Sequence, residues 1–204
     1  MNDQRVYGKM DRESVLEAIA QQGIAFITLW FTDIAGIVKN VTVPASRLEG
    51  VIDNGLHFDG SSLEAFSRIA ESDMVLRPDL NTFVAFPWGE SGGRTGRLIC
   101  SVHTVNGDPF IGDPRNALGR VLSEAEALGY QLMTGMELEF FLFRRHADHS
   151  LLPLRPTDQV SYFDQSDDMA DQLRRQMVST LLAMDIRVDS SHNEIGAGQH
   201  EIDF

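Results

Sequence analysis

Cysteine is almost missing from this chain: Cys100 stands alone in 204 residues. That excludes an internal disulfide and any cysteine pair for a metal, and it suits a reducing compartment. Cys100 itself reads as a small buried side chain. No stretch approaches the roughly 18 uninterrupted apolar residues of a membrane helix. The opening Met1-Asn2-Asp3-Gln4-Arg5 lacks the apolar core of a secretory signal, so the expectation is a cytoplasmic protein with no membrane partner. Basic runs are lacking as well. With 17 Lys and Arg against 30 Asp and Glu, a formal net charge of -13, there is no cationic stripe to track phosphates, which excludes nucleic acid as a partner. Internal repeats and low-complexity tracts are absent.

What is present is an ordinary globular mixture, 43% hydrophobic and 23% charged, long enough for one large domain or two small ones. The acidic excess fits either plain solubility or carboxylates gathered around divalent cations, and only the motifs can decide between them.

Val15, Leu16, Ile19 and Ala20 fall at helical spacing, predicting a helix over 12–22 with Gly23 as its stop. Residues 24–31 and 37–43 are rich in β-branched and aromatic side chains. With Asp33-Ile34-Ala35-Gly36 between them and Pro44 closing the second, they predict a β-hairpin. A short helix over 46–54 ends at Gly55, and strand-like pieces follow at 82–86 and 97–105, giving a small α+β domain over 1–105. Asn106-Gly107-Asp108-Pro109 and Gly112-Asp113-Pro114 form a turn-rich boundary, the second placing an N-cap Asp before Pro at the first helical position. Beyond it the pattern predicts a helix over 115–128, a long buried strand over 130–143, a loop over 146–159, a helix over 167–184 with Leu173, Met177, Leu181 and Met184 on one face, and a strand over 199–204.

Three segments carry candidate chemistry. Glu137 and Glu139, two apart in a strand pattern, project from the same face. Flanked by the apolar run 140–143, they are costly to bury unless a cation compensates them; a solvated acidic face is the plainer alternative. In Ser191-His192-Asn193-Glu194-Ile195-Gly196-Ala197-Gly198-Gln199-His200-Glu201, the acids Glu194 and Glu201 are seven apart. A continuous strand would point them to opposite faces, whereas the glycines permit a bend that returns both to one site. Oxygen ligands without thiolates suit Mg²⁺ or Mn²⁺; His192 and His200 are either additional ligands or simply hydrogen-bonded. Finally, Phe58-Asp59-Gly60-Ser61-Ser62 is a compact turn, usable for capping a helix over 62–70 or for gripping a small cation.

These motifs, with Glu71-Ser72-Asp73-Met74, Glu137-Leu138-Glu139-Phe140-Phe141-Leu142-Phe143, Ser161-Tyr162-Phe163-Asp164 and the run from His192 through Gly198-Gln199-His200-Glu201-Ile202-Asp203-Phe204, occur in one order that resembles the glutamine synthetase family in its class I, bacterial and archaeal form. The resemblance covers nearly the whole chain. It implies an α+β fold: a β-grasp domain over 1–105, then the start of the catalytic domain over 106–204, an antiparallel sheet with helices. It implies ATP-dependent joining of ammonia to glutamate through a γ-glutamyl phosphate, with Mg²⁺ or Mn²⁺ as cofactor, ATP as co-substrate, and glutamate and ammonium as small-molecule partners. Homo-oligomeric rings with active sites between subunits are implied too. In that scheme Glu139, Glu194 and Glu201 hold the metal on the glutamate side and Glu137 a metal on the nucleotide phosphates. Asp59, from the adjacent subunit, takes a proton from ammonium. Asp73, Ser62, Tyr162 and Glu194 help to form the cation site, and His192 lies near the nucleotide. The sequence departs from the family at Asn193, where a second histidine is frequent, at Phe66, where many members carry tryptophan, and in length. The family's catalytic domain continues well past Phe204, so the chain is expected to be a truncated portion, inactive by itself. A γ-glutamyl-amine ligase of the same superfamily and a non-catalytic metal-binding or assembly module are the alternatives.

Overall fold

Helix α1 (Arg12–Gln22) begins where Asp11 accepts hydrogen bonds from the Ser14 backbone N–H and hydroxyl at 2.8 and 2.7 Å, and ends where Gly23 turns left-handed at φ 64°. Both ends therefore follow from single residues, an acidic N-cap and a glycine that pays no Cβ penalty. A computed structural model describes residues 10–62, 73–90, 93–153, 162–164 and 169–204. It divides into two compact units, Met1–Leu132 and Met133–Phe204. Phe66, Glu71, Ser72, Ser161 and the helix considered over 62–70 fall wholly or mostly outside the described residues.

In the first unit, β1 (Ile24–Thr32) and β2 (Val38–Pro44) pair as an antiparallel hairpin. Asp33 builds the turn, its Oδ1 accepting from the Ala35 and Ile37 N–H groups at 3.0 and 2.9 Å, with Gly36 at φ 81°. A 3₁₀ turn and α2 (Leu48–Asn54) lead to β3 (Leu56–Asp59), β4 (Asp73–Glu90) and β5 (Gly93–Thr104). The sheet order is β2-β1-β5-β4-β3, with β1 and β5 parallel and every other pair antiparallel. One sheet face carries Ile27, Leu29, Leu76, Leu98 and Val102, all essentially inaccessible, which pack with Val15 of α1, Leu48 of α2 and Cys100. Each such large side chain contributes roughly 1.5–3 kcal/mol by leaving water.

The expected strand piece at 82–86 is the middle of the much longer β4. Its ladder shifts register between Asp79 and Val84, which disguises the period-two pattern. Thr82 repairs the gap: its hydroxyl accepts from the Ile99 N–H at 2.7 Å and donates to the Asp79 carbonyl at 2.6 Å. Helix α3 (Pro114–Ala127) starts at fully buried Asp113. Its two carboxylate oxygens accept from the N–H groups of Arg115, in the helix, and Val102, in β5, both at 2.9 Å.

In the second unit β6 (Glu137–Phe141), β10 (Gln199–Asp203) and β9 (Ser190–Asn193) form an antiparallel sheet in that order, β7 (Phe143–Arg145) and β8 (Leu151–Pro153) form a two-stranded ribbon, and α4 spans Met169–Ala183. Three expectations need correction. The long buried strand over 130–143 is a five-residue edge strand, with Leu138, Phe141 and Phe143 about half exposed. An apolar run does not itself distinguish an edge strand from a buried one. The loop over 146–159 contains β8, because a two-stranded ribbon tolerates Pro153, whose missing N–H needs no ladder partner on an outer edge. Helix α4 lies where expected, but it buries Ala170, Asp171 and Arg174 rather than the Leu173–Met177 stripe.

Among the described residues, no helix is long and apolar enough to cross a membrane.

Candidate active site

The central strand of the second sheet carries the site. Glu201 of β10 is directly opposite Glu139 of β6 on one side and His192 of β9 on the other; Asp203 is likewise opposite Glu137 and Ser190. Directly opposed residues share a face, and residues two apart along a strand share it too. Glu137, Glu139, His192, Glu201 and Asp203 therefore occupy one face of the sheet. Glu194, two beyond His192, joins them through the hairpin: its N–H bonds the Gln199 carbonyl at 3.0 Å, and the Gln199 N–H bonds the Gly196 carbonyl at 2.9 Å. The glycine-bearing segment thus makes the expected bend. A Cβ on Gly196 would lie 2.4 Å from the Gln199 Oε1, so the Gln199 carboxamide would have to turn aside. With glycine there, the Gln199 amide donates to Glu139 Oε2 at 2.6 Å.

The imidazole of His192 stands among the acids. Its Nδ1 is 3.3 Å from Glu194 Oε1, and its Nε2 is 3.8 Å from a carboxylate oxygen of both Glu201 and Asp203. One ligand atom from each of His192, Glu201 and Asp203 lies within 4.8 Å of the others. Ser190 donates its hydroxyl to Asp203 Oδ2. Tyr162 and Phe163 wall the imidazole, their ring centroids 5.4 and 4.8 Å from it at steep interplanar angles.

Glu201 is the most constrained member, with only 7% of its surface exposed. The neighbouring Glu194 carboxyl, burial and the Asp203 carboxylate push its pKa up from 4.5 to about 7. Glu201 therefore holds its proton to higher pH than a solvated carboxylate does, and a cation placed among these oxygens would favour its ionised form. Desolvation, then the charges of Glu194, Glu201, Asp203 and Glu137, push the Tyr162 phenol up as well, so it remains a hydrogen-bond donor. Carboxylate oxygens with one imidazole and no thiolate are a donor set suited to Mg²⁺ or Mn²⁺.

The sheet's other face is polar too. His200 and Asn193, paired across β10 and β9, are 4% and 7% exposed. Arg174 of α4 donates through Nη1 to His200 Nδ1 at 2.9 Å and to Asn193 Oδ1 at 3.2 Å, and through Nη2 to Asp171 Oδ1 at 2.5 Å. Of the two histidines considered as ligands, His192 thus faces the acids and His200 faces away from them.

In the first unit, Asp59 and Asp73 are direct partners across β3 and β4. Asp59 Oδ1 accepts from the Ser61 N–H at 2.8 Å, and hydrogen bonding by the Ser61 side chain and backbone holds its pKa below the usual carboxylate range. Ser62 closes the 3₁₀ turn that follows β3.

Asp203, Asn193, Arg174 and Asp171 were not picked out as site residues from sequence. Asp203 had a usable signal, since it continues the alternation from Glu201. The α4 pair had none, because a helical Asp and Arg three apart read as a solvated surface pair.

The glutamine synthetase β-grasp domain profile matches residues 23–105, and the glutamine synthetase catalytic domain profile matches residues 111–204. Similar curated proteins include glutamine synthetases from Clostridium saccharobutylicum, 43% identical over 96% of this chain and 44% of the relative, from Staphylococcus aureus, 46% identical over 95% and 44%, and from Halobacterium salinarum, 45% identical over 95% and 43%. The chain therefore spans less than half the length of these relatives. Among solved structures, a GmaS/ADP complex is similar at TM-score 0.76 and 26% identity, covering 96% of this chain and 44% of that one. A Plasmodium falciparum glutamine synthetase shares the fold at TM-score 0.75 and 18% identity, covering 95% and 44%.

Proposed function

The chain belongs to the glutamine synthetase family, and from that premise we propose that it supplies the ammonium loop and metal carboxylates for ATP-dependent ligation of ammonia to L-glutamate. The observation that carries this reading is Glu201, buried between Glu194 and Asp203 with its proton affinity raised to about 7. Such a group either keeps a proton or takes a cation in its place.

Glu139, Glu194 and Glu201 would hold one divalent ion, and Glu137 would help to hold a second on the nucleotide side. Held there, Mg²⁺ or Mn²⁺ would supply positive charge to offset that of a phosphoryl group passing from ATP to the glutamate side chain. His192 adjoins the nucleotide. Asp59, ionised with the help of Ser61, accepts a proton from ammonium across a subunit boundary in a homo-oligomeric ring. Asp73, Ser62, Tyr162 and Glu194 complete the cation site. Protonated ammonia has no lone pair to attack the acyl phosphate, so a carboxylate must take the proton first. The division into a β-grasp domain over 1–105 and a catalytic segment from 106 is part of the same reading, supported by the two profile matches on either side of that boundary. A cytoplasmic location goes with it.

The test is an assay of ATP-, Mn²⁺- and glutamate-dependent capture of ammonia and of hydroxylamine. It compares the 204-residue chain alone with the same chain joined in frame to the remainder of the Clostridium relative. Activity in the joined protein alone is the expected result. Preference for a larger amine over ammonia would shift the reading to a γ-glutamyl-amine ligase, and metal binding without turnover in either protein would leave a non-catalytic module.

A further inference from the structure

The acids face one side of the β9–β10 sheet, but what sets the aromatic wall of the site lies on the other side. Asn193 points away from His192 and uses both ends of its carboxamide. Its Oδ1 accepts from Arg174 Nη1 at 3.2 Å, and its Nδ2 donates to the Asp164 carbonyl at 3.1 Å. The first bond fastens it to α4, where Arg174 is itself held by Asp171 at 2.5 Å; Asp171 also accepts from Arg175 Nε at 2.7 Å. The second reaches the residue just after Tyr162 and Phe163, the two rings that stand against His192. Phe163 has a left-handed backbone, φ 62°, a conformation that a bulky residue adopts only where its surroundings impose it.

We propose that Asn193 is a positioning residue: anchored to Arg174 of α4, it holds the Asp164 carbonyl and thereby sets the Tyr162–Phe163 turn against the His192 imidazole. The carboxamide supplies both an acceptor for the guanidinium and a donor for the carbonyl in one small planar group. The substitution Asn193→Asp keeps the acceptor and loses the donor. The backbone of Asn193 joins His192 to Glu194, so the same residue sets both the imidazole and the wall that confines it. The consequence for nucleotide binding rests on the reading of His192 given above; the geometric role does not.

The test follows the His192 imidazole resonances by NMR in the full chain with labelled histidine, assigned through His192→Gln among the six histidines. Rings this close displace the imidazole signals, and the double variant Tyr162→Leu/Phe163→Leu gives the position without them. In Asn193→Asp the signals are expected to move to that position while far-UV dichroism stays native. Should Asn193→Asp fail to fold, Asn193→Ala, which removes both arms without adding charge, takes its place with the same expectation. Wild-type imidazole signals in a folded variant would overturn the proposal; a purely structural role would lower the melting temperature and leave those signals in place. In the joined protein, loss of the Asn193 donor is expected to weaken ATP binding about fivefold, the scale of one neutral hydrogen bond. Displaced signals with unaltered ATP affinity would uphold the positioning role and count against the nucleotide assignment of His192.

Discussion

Glu201 lies directly across the β10–β6 ladder from Glu139. Opposed carboxylates destabilise a sheet unless something cationic sits between or above them. Here that opposition is compounded by Glu194 and Asp203, whose carboxyls are close enough to raise the Glu201 proton affinity.

The pH dependence of the metal-free chain follows from that group. The folded pKa of Glu201 is raised from 4.5 to about 7, so the folded state binds the proton more tightly than the unfolded state does. Its contribution to stability is fully present below 4.5 and is lost as pH rises through about 7. Melting curves of the metal-free protein are expected to show this loss, and Glu201→Gln should flatten it. A divalent cation must displace the same proton, so Mn²⁺ titrations just below neutrality, repeated in buffers of different ionisation heat, should report proton release. No release would mean that Glu201 is not a ligand.

Asp203 should tune its neighbour. Asp203→Asn removes one source of the upward push on Glu201, leaving Glu194 and burial. The Glu201 midpoint is expected to fall toward 4.5, read by carbon NMR of the side-chain carboxyl. An unchanged midpoint would assign the push to the other two causes alone.

Asp113 ties a helix start to a strand through two backbone N–H groups. Asp113→Ala removes the cap of α3 and strands the Val102 N–H inside the first unit, a loss of roughly 2–4 kcal/mol. Urea unfolding should show a lower midpoint at an unchanged slope.

Cys100 is 1% exposed, and burial pushes its thiol up to about 12. In the folded chain it should not react with a disulfide reagent at mildly alkaline pH, and it should titrate as one thiol once denaturant is added. Rapid reaction under native conditions would show that the β-grasp core opens readily.

Local chemistry made much of this molecule legible in advance. Gly23 ends α1, Asp33 and Gly36 define the hairpin turn, and Asp113-Pro114 starts α3, because each is a device of one or two residues that acts within its own turn. The same-face placement of Glu137 and Glu139 follows from strand periodicity. Legibility stopped where structure depends on distant partners. The length of β4 was hidden because Thr82 supplies from a side chain what the ladder lacks. The run 130–143 was misjudged because its neighbours, not its composition, decide how much of it is covered. Arg174 gives no hint in sequence that it reaches His200 and Asn193, since both partners come from strands beyond its own helix.

The hairpin that joins β9 to β10 makes the two halves of the acidic face unequal in chain entropy. Glu194 and Glu201 meet by closing a loop of a few residues, whereas Glu139 reaches Gln199 across a sequence separation of 60. Closure entropy grows with the logarithm of loop length, so docking β6 costs about 2 kcal/mol more than forming the hairpin. Part of the carboxylate set is therefore a local structure, and the rest is recruited from afar. Any cation that bridges the two strands would contribute most of its stabilisation at the long-range contact, where the chain has the most freedom to lose.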